Sequence, residues 1–347
     1  MRSYYRPIPI TDPALMDTGH VLAGGWTRFR EVEVLQRGTA SRVVPAADIP
    51  PDALDALVRP RPPLAGMSVD RPRLMGILNL TPDSFSDGGL HAEGPAALER
   101  AGELVREGAD LIDVGGESTR PGAPEVPESQ EIARIRPVIE ALVAAGPGVP
   151  VSLDTRKSAV ARAGLAAGAG ILNDVSGLRF DPAVASVAAE AGAPLILMHS
   201  IGTPETMQGL AEEAYGDVVL DVFDALGEAV ARAEAAGVAR ARIVVDPGIG
   251  FGKTDAHNRA LLSRISLFHG LGCAILVGVS RKGMIGRLAG VAEPSRRGPG
   301  SAGIGLWAVS QGVQILRVHD MEMHRQAIAL WRACAGRPDS GGRDDKG

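Results

Sequence analysis

The 347-residue chain is 45% hydrophobic, enough for one large core or two ordinary ones, and its two cysteines, Cys273 and Cys334, are too few for a disulfide framework. Its 36 basic and 41 acidic side chains leave a net charge of −5 with no polybasic run, which argues against nucleic acid as a partner. No apolar run approaches the roughly 18 residues of a membrane span. The MRSYYRPIPITDP start also lacks the apolar stretch of a secretory signal, so the expectation is a cytoplasmic protein without a membrane partner.

Residues 1–70 differ in character from the rest of the chain. They are proline-rich and read as an N-terminal extension or small appendage. It would hold one strand around Phe29–Leu35, a short helix at Asp52–Val58 and a linker at Arg59–Pro63. From 71 to 335 the pattern becomes regular. Short apolar runs occur at Leu74–Leu78, Leu111–Val114, Val149–Leu153, Gly170–Leu172, Pro194–Met198, Ile243–Val245, Ala274–Val277 and Val313–Val318. Amphipathic, alanine-rich stretches alternate with them: Pro95–Glu107, Ser129–Ala144, Lys157–Ala167, Pro182–Ala191, Tyr215–Ala236, Asn258–Phe268, Ala302–Gln311 and Met321–Ala333. Eight strand signals alternating with eight helical ones predict an α/β fold, a (β/α)8 TIM barrel with an N-terminal extension. An open doubly wound sheet is the alternative, because periodicity does not report closure. The small, charged tail at 336–347 reads as disordered.

Nearly every strand signal ends in polar residues: Asn79, Asp113, Asp154, Asn173 with Asp174, His199, Asp246, Ser280 to Lys282, and Arg317 to Asp320. In a βα barrel these ends converge on one rim, where such enzymes keep their active sites. Asp154 and Asp246 offer acceptors and Asn173 both a donor and an acceptor, a set suited to the edge of a nitrogen heterocycle. The competing reading is helix capping, for which Asp154 ahead of Thr155 is well placed. Arg317 and His319 alternate about Val318 and so share a side, which suits an anion; a salt bridge to a neighbouring carboxylate is the other reading. GGESTRPG offers Thr119 and Arg120 from a loop, and Met198 suits apolar packing beneath a ring. HxH, HExxH, paired cysteines and GxSxG are all absent, which argues against a tightly held transition metal and against covalent catalysis. Only four lysines occur, and Lys157, Lys253 and Lys282 each come shortly after an apolar strand.

The motifs MGILNLTPDSFSDGG (Met75–Gly89), GGESTRPG, SLDTRK, ILND, DPGIGFGK, GVSRK and RVHD occur in the order and spacing of bacterial dihydropteroate synthase, which the chain resembles over about residues 72–333. The resemblance implies a TIM barrel that condenses 6-hydroxymethyl-7,8-dihydropterin diphosphate with p-aminobenzoate, releasing pyrophosphate and 7,8-dihydropteroate. It also implies Mg2+, a homodimer and inhibition by sulfonamides. Carried over by motif, Asp154, Asn173, Met198, Asp246 and Lys282 form the pterin pocket, joined by Gly278 and Ser280 of GVSRK. Arg317 and His319 hold the diphosphate, and Asn79 is a Mg2+ ligand. Thr119 and Arg120 approach from the second loop, and Phe251 and Pro121 line the p-aminobenzoate slot. Lys282, Arg317, His319 and Asp246 are the implied catalytic set. Two positions depart from the family: Gly283 stands where members often carry Ser, and RRGPGS (Arg296–Ser301) replaces a segment usually reading R-x-G-T. A pterin-binding methyltransferase domain and a noncatalytic homologue are the competing functions. The former needs no diphosphate site, against which Arg317 and His319 argue.

Overall fold

The computed structural model describes residues 2–80, 89–118, 123–203, 206–207 and 209–335. The motif segment 81–88, the loop residues 119–122 and the tail 336–347 lie outside them, and so do the expectations placed there.

The first 60 residues build more than the one strand and one helix expected. Strands β1 (Tyr4–Ile10), β2 (His20–Val21), β3 (Arg28–Leu35) and β4 (Arg42–Pro45) form an antiparallel sheet, with helix α1 (Pro51–Val58) after it in the chain. β3 is central. It pairs with β1 from Tyr4↔Leu35 to Ile10↔Arg28, with a register shift between Pro7 and Pro9. Its other edge pairs with β4 and β2. Phe29, Val32, Ile49 and Leu57 give this unit its own small core. The unit is also fastened to later parts of the chain. The Tyr4 ring meets Phe223 edge-on at 5.5 Å, and Trp26 Nε1 donates to the Val309 carbonyl at 2.9 Å. The buried Arg61 guanidinium donates to the carbonyls of Ala56, Arg59, His269 and Cys273 at 2.8–3.1 Å.

Eight parallel strands make up the second sheet: β5 (Arg73–Asn79), β6 (Leu111–Gly115), β7 (Val151–Asp154), β8 (Ile171–Asp174), β9 (Leu195–Met198), β10 (Ile243–Asp246), β11 (Ala274–Val277) and β12 (Ile315–Val318). β12 pairs with β5 from Ile315↔Arg73 to Val318↔Gly76, so the sheet closes into a barrel and the open-sheet alternative is excluded. Strands walled in on both faces read as continuous apolar runs. That is why the eight signals were visible. Helices α2 (Gly89–Arg106), α3 (Glu128–Ala145), α4 (Ser158–Ala166), α5 (Ala183–Ala191), α6 (Val218–Ala235), α7 (Asp255–Ser263), α8 (Gly283–Ala289), α9 (Gly298–Ser310) and α10 (Met321–Cys334) connect and surround them. The sequence reading lacks α8. The stretch expected as a helix at Asn258–Phe268 divides, because α7 starts at a Thr254 capping box and gives way to a 3-10 turn over Ile265–Leu271. The divergent RRGPGS segment forms a 3-10 turn running into the first turn of α9.

The barrel interior holds Met75, Leu111, Ile171, Ile196, Val244, Leu276 and Ile315. Leu64, Met67 and Val69 join that cluster and form its floor. They are held by a tight turn in which Leu64 and Met67 exchange backbone hydrogen bonds at 2.8 and 2.9 Å. These side chains fill the barrel axis at its lower end, and the polar strand ends lie at the opposite rim.

Candidate active site

One wall of the rim is organised by Asp113, an acid inside the apolar run of β6. It is fully buried and satisfied by three donors from three other strands. Ser152 Oγ reaches Oδ1 at 2.6 Å, while Asn173 Nδ2 and Arg317 Nε reach Oδ2 at 3.0 and 2.6 Å. Arg317 Nη2 then donates to Asp154 Oδ2 at 3.1 Å. Residues expected in the pocket from β7, β8 and β12 thus meet in one network. Burial pushes the Asp154 carboxyl well above its ordinary range, the Arg317 charge opposes this, and nearby Asp113 adds to the rise. Asp154 Oδ1 is buried and has no hydrogen-bond partner among the described residues. A buried acceptor left open in this way is a place for a ligand N–H. Asp154 does not cap α4, whose N-terminus has no side-chain cap.

The opposite wall comes from β10 and the GVSRK turn. Asp246 Oδ1 accepts the Gly248 N–H at 2.7 Å, which shapes the loop. That loop requires glycine at 248: φ is +67°, and a Cβ would lie 1.8 Å from the His199 carbonyl oxygen. Lys282 Nζ donates to the Ile249 carbonyl and sits 4.3 Å above the Phe251 ring. Burial lowers the Lys282 pKa to about 8, against the pull of Asp246; burial raises Asp246, with Lys282 opposing. Met198 is buried beneath this wall, and Gly278 lies beside Arg317.

His319 and Arg317 divide their work rather than share one free slot. Arg317 commits Nε and Nη2 to Asp113 and Asp154, so the salt-bridge reading holds for two of its three nitrogens. His319 takes Ser280 as its partner, with Nδ1 at 3.0 Å from Ser280 Oγ and its backbone N–H donating at 3.1 Å. Asn79 ends β5. A Cβ on Gly115 would lie 3.7 Å from both Asn79 Oδ1 and Asp154 Oδ2, so the end of β6 runs close beside both oxygens. Among the described residues no cluster of three His, Cys, Asp or Glu side chains could hold a metal unaided. Thr119, Arg120 and Pro121 lie outside the described residues. At Gly283 a Cβ would meet Arg287 Nη1 at 2.9 Å, the far end of a side chain paired with Asp255.

The sequence places Asp113 among the strand-end polar residues without a role of its own, and gives Ser152 and Lys253 no place in the site. Asp113 and Ser152 are the buried polar centre, and an acid inside LIDVG was the available signal. Lys253 is also buried, with Nζ 3.0 Å from His199 Nδ1 and donating to the carbonyls of His199 and Phe251. Burial depresses both Lys253 and His199; the Lys253 charge lowers His199 further, while at Lys253 Asp246 opposes the fall and Lys282 adds to it.

Residues 75–319 match the family model described as pterin binding enzyme. The chain is 45% identical to the Escherichia coli K12 dihydropteroate synthase over 270 residues, covering 77% of this chain and 94% of that one. It is 50% identical over 259 residues to a probable bifunctional folylpolyglutamate synthase/dihydropteroate synthase of Haloferax volcanii, covering 75% of this chain but spanning only 30% of that protein. The solved Xanthomonas albilineans dihydropteroate synthase with 4-aminobenzoic acid superposes with a TM-score of 0.73 at 45% identity, covering 79% of this chain and 97% of that one. With the rim geometry, these likenesses show that the chain belongs to the dihydropteroate synthase family of pterin-binding enzymes, transferases that join 6-hydroxymethyl-7,8-dihydropterin diphosphate to p-aminobenzoate.

Proposed function

We propose that the Asp113 network and the Asp246–Lys282 wall together form the pterin pocket and that the reaction runs without an enzymic nucleophile. The unpartnered Asp154 Oδ1 carries this reading. With Asn173 and Asp246 it would bracket the donor and acceptor edge of the pterin, while the Lys282 ammonium reaches the ring. The third Arg317 nitrogen and His319 would face the diphosphate. As the C–O bond to diphosphate breaks, the electron-rich dihydropterin stabilises charge on the exocyclic methylene. The arylamine nitrogen then forms the new C–N bond and gives up a proton. Donors fixed before reaction stabilise the departing charge at no further reorganisation cost.

The Asn79 side-chain oxygen at the end of β5 is a hard donor suited to a divalent cation that arrives with the diphosphate. Mg2+ usually takes one or two protein oxygens and completes its shell with phosphate and water. When bound it would neutralise charge on the leaving group. Phe251 would form one face of the p-aminobenzoate slot, which sulfonamides would share, with Thr119, Arg120 and Pro121 approaching from the second loop.

A homodimer is supported by exposed apolar side chains on neighbouring helices: Leu288 on α8, Trp307 on α9, and Met323 and Leu330 on α10, the last 68% exposed. A reducing cytoplasm fits the two free thiols, Cys273 and Cys334, and no described helix is long and apolar enough to cross a membrane.

Titrating a non-phosphorylated hydroxymethyl pterin into the wild type and Asp154→Asn tests the carrying observation. An amide turns one acceptor into a donor facing a ligand N–H, so affinity should fall roughly 10-fold or more. Wild-type affinity in the variant would remove Asp154 from the pterin edge.

A further inference from the structure

The DPGIGFGK turn that leaves β10 is built on alternate glycines. Gly248, Gly250 and Gly252 all have left-handed backbone, with φ of +67°, +84° and +60°. Glycine tolerates such a path but does not prefer it, so the turn takes its shape from the side chains that tie it down. Asp246 Oδ1 takes the Gly248 N–H and Asn258 Oδ1 the Gly250 N–H, both at 2.7 Å, and the Tyr215 hydroxyl donates to the Gly252 carbonyl at 3.1 Å. Lys253 closes the turn and is only 3% exposed. Its Nζ donates to the Phe251 carbonyl at 3.0 Å and, across to the end of β9, to the His199 carbonyl at 3.2 Å. His199 Nδ1 is its third partner at 3.0 Å. These contacts are satisfied in either charge state. An ammonium gives its third proton to Nδ1, whereas a neutral amine keeps two N–H groups for the carbonyls and accepts a proton from Nδ1.

A fully satisfied buried polar network rigidifies what it joins, and here it joins the end of β9 to the turn after β10. Among the described residues Lys253 makes no hydrogen bond to Lys282, Asp154, Asn173 or Arg317, so any hold it has on the rim passes through the turn. Lys282 Nζ donates to the Ile249 carbonyl and stands 4.3 Å from the centre of the Phe251 ring, and both groups belong to that turn. Asp246 and Arg317 act on the Lys282 charge from β10 and β12, which puts the ammonium within electrostatic reach of both walls of the pocket. We infer that Lys253 is a positioning residue for Lys282. By fixing the Phe251 and His199 carbonyls it holds the Ile249 carbonyl and the Phe251 ring, and these two set where the Lys282 ammonium stands against the pterin. This rests on the assignment of Lys282 to the pterin pocket.

The chain has only four lysines, so carbon-13 labelling of lysine gives a side-chain spectrum simple enough to follow Lys282 directly. Lys282→Met and Lys253→Met assign the two signals. The Phe251 ring shields the end of the Lys282 side chain lying over it. In Lys253→Met the Lys282 signal should lose that upfield displacement, as it should in Phe251→Leu, the control that removes the ring alone. kcat/KM for pterin diphosphate should fall roughly tenfold, the scale of one charged hydrogen bond. That fall should vanish in the Lys282→Met background, where no ammonium is left to position. A Lys282 signal unchanged in Lys253→Met, or losses that multiply in the double variant, overturns the proposal. If Lys282→Met alone keeps wild-type kcat/KM, it is the assignment of Lys282 to the pterin that fails, and the Lys282 signal still decides whether Lys253 positions it. Should Lys253→Met not fold, Lys253→Gln carries the same cycle. Its amide offers two N–H groups to the carbonyls but ends one bond short, so a smaller loss that again vanishes without Lys282 is expected, and a loss that persists there overturns the proposal.

Discussion

Arg317 Nε lies 2.6 Å from Asp113 Oδ2, so the guanidinium assigned to the diphosphate is anchored by an acid on another strand of the barrel. Asp113→Asn keeps the shape but puts an amide where three donors converge. Breaking a buried pair by altering one partner costs about 3–5 kcal/mol, and because the amide keeps a single acceptor oxygen, either Ser152 or the Asn173 and Arg317 donors must face an N–H instead. The expected outcome is a melting temperature lower by several degrees and pterin affinity weaker by roughly 10- to 100-fold, since a lost charged hydrogen bond is worth about 1.5–3 kcal/mol. Calorimetry and thermal melts on one preparation measure both. Unchanged values would mean that Arg317 finds its position without Asp113.

Lys282 should report through pH. Its pKa falls to about 8 through burial, and in the proposed pocket the ammonium is the form that would donate to the pterin. kcat/KM should therefore hold below about 8 and decline above it. Stability runs the other way. The folded value lies below the ordinary lysine range, so burying the charge costs stability below about 8, and the cost is relieved as pH rises from there through the unfolded value. Lys282→Met should melt higher than the wild type at neutral pH, with that advantage fading at high pH, while kcat/KM drops roughly 10- to 150-fold. A variant with normal activity, or one less stable at neutral pH, would contradict the assignment.

The boundary of the N-terminal unit is open to truncation. Removing residues 1–60 strips the sheet from Phe223 and from the Val309 carbonyl but keeps the floor. Removing 1–68 also deletes Leu64 and Met67 from inside the barrel. Burying two such side chains contributes about 3–6 kcal/mol, so the longer truncation should melt well below the shorter one. Equal melting would show that the barrel closes without its floor.

The barrel was readable because its strands are buried on both faces, and its rim because polar residues end each apolar run. Asp154, Asn173, Asp246, Lys282, Arg317 and His319 were found in that way and lie on the rim. Asp113 was seen as a polar strand residue but not as the hub, since a hub is defined by partners from β7, β8 and β12 that no local pattern reveals. The N-terminal sheet was mostly hidden because Pro7 and Pro9 interrupt β1 and mark an edge strand by their missing N–H groups, and β2 is two residues long. Leu64 and Met67 read as linker because their partners lie on barrel strands beyond the local window.

Pyrophosphate release by the full chain, measured with each substrate alone and with both in the presence of Mg2+, is the most direct test. Release should require pterin diphosphate and p-aminobenzoate together. In Asn79→Ala it should demand more Mg2+ while binding of a non-phosphorylated pterin stays intact. No release with both substrates, or release at full rate without p-aminobenzoate, would contradict the assignment of this rim to the transfer reaction.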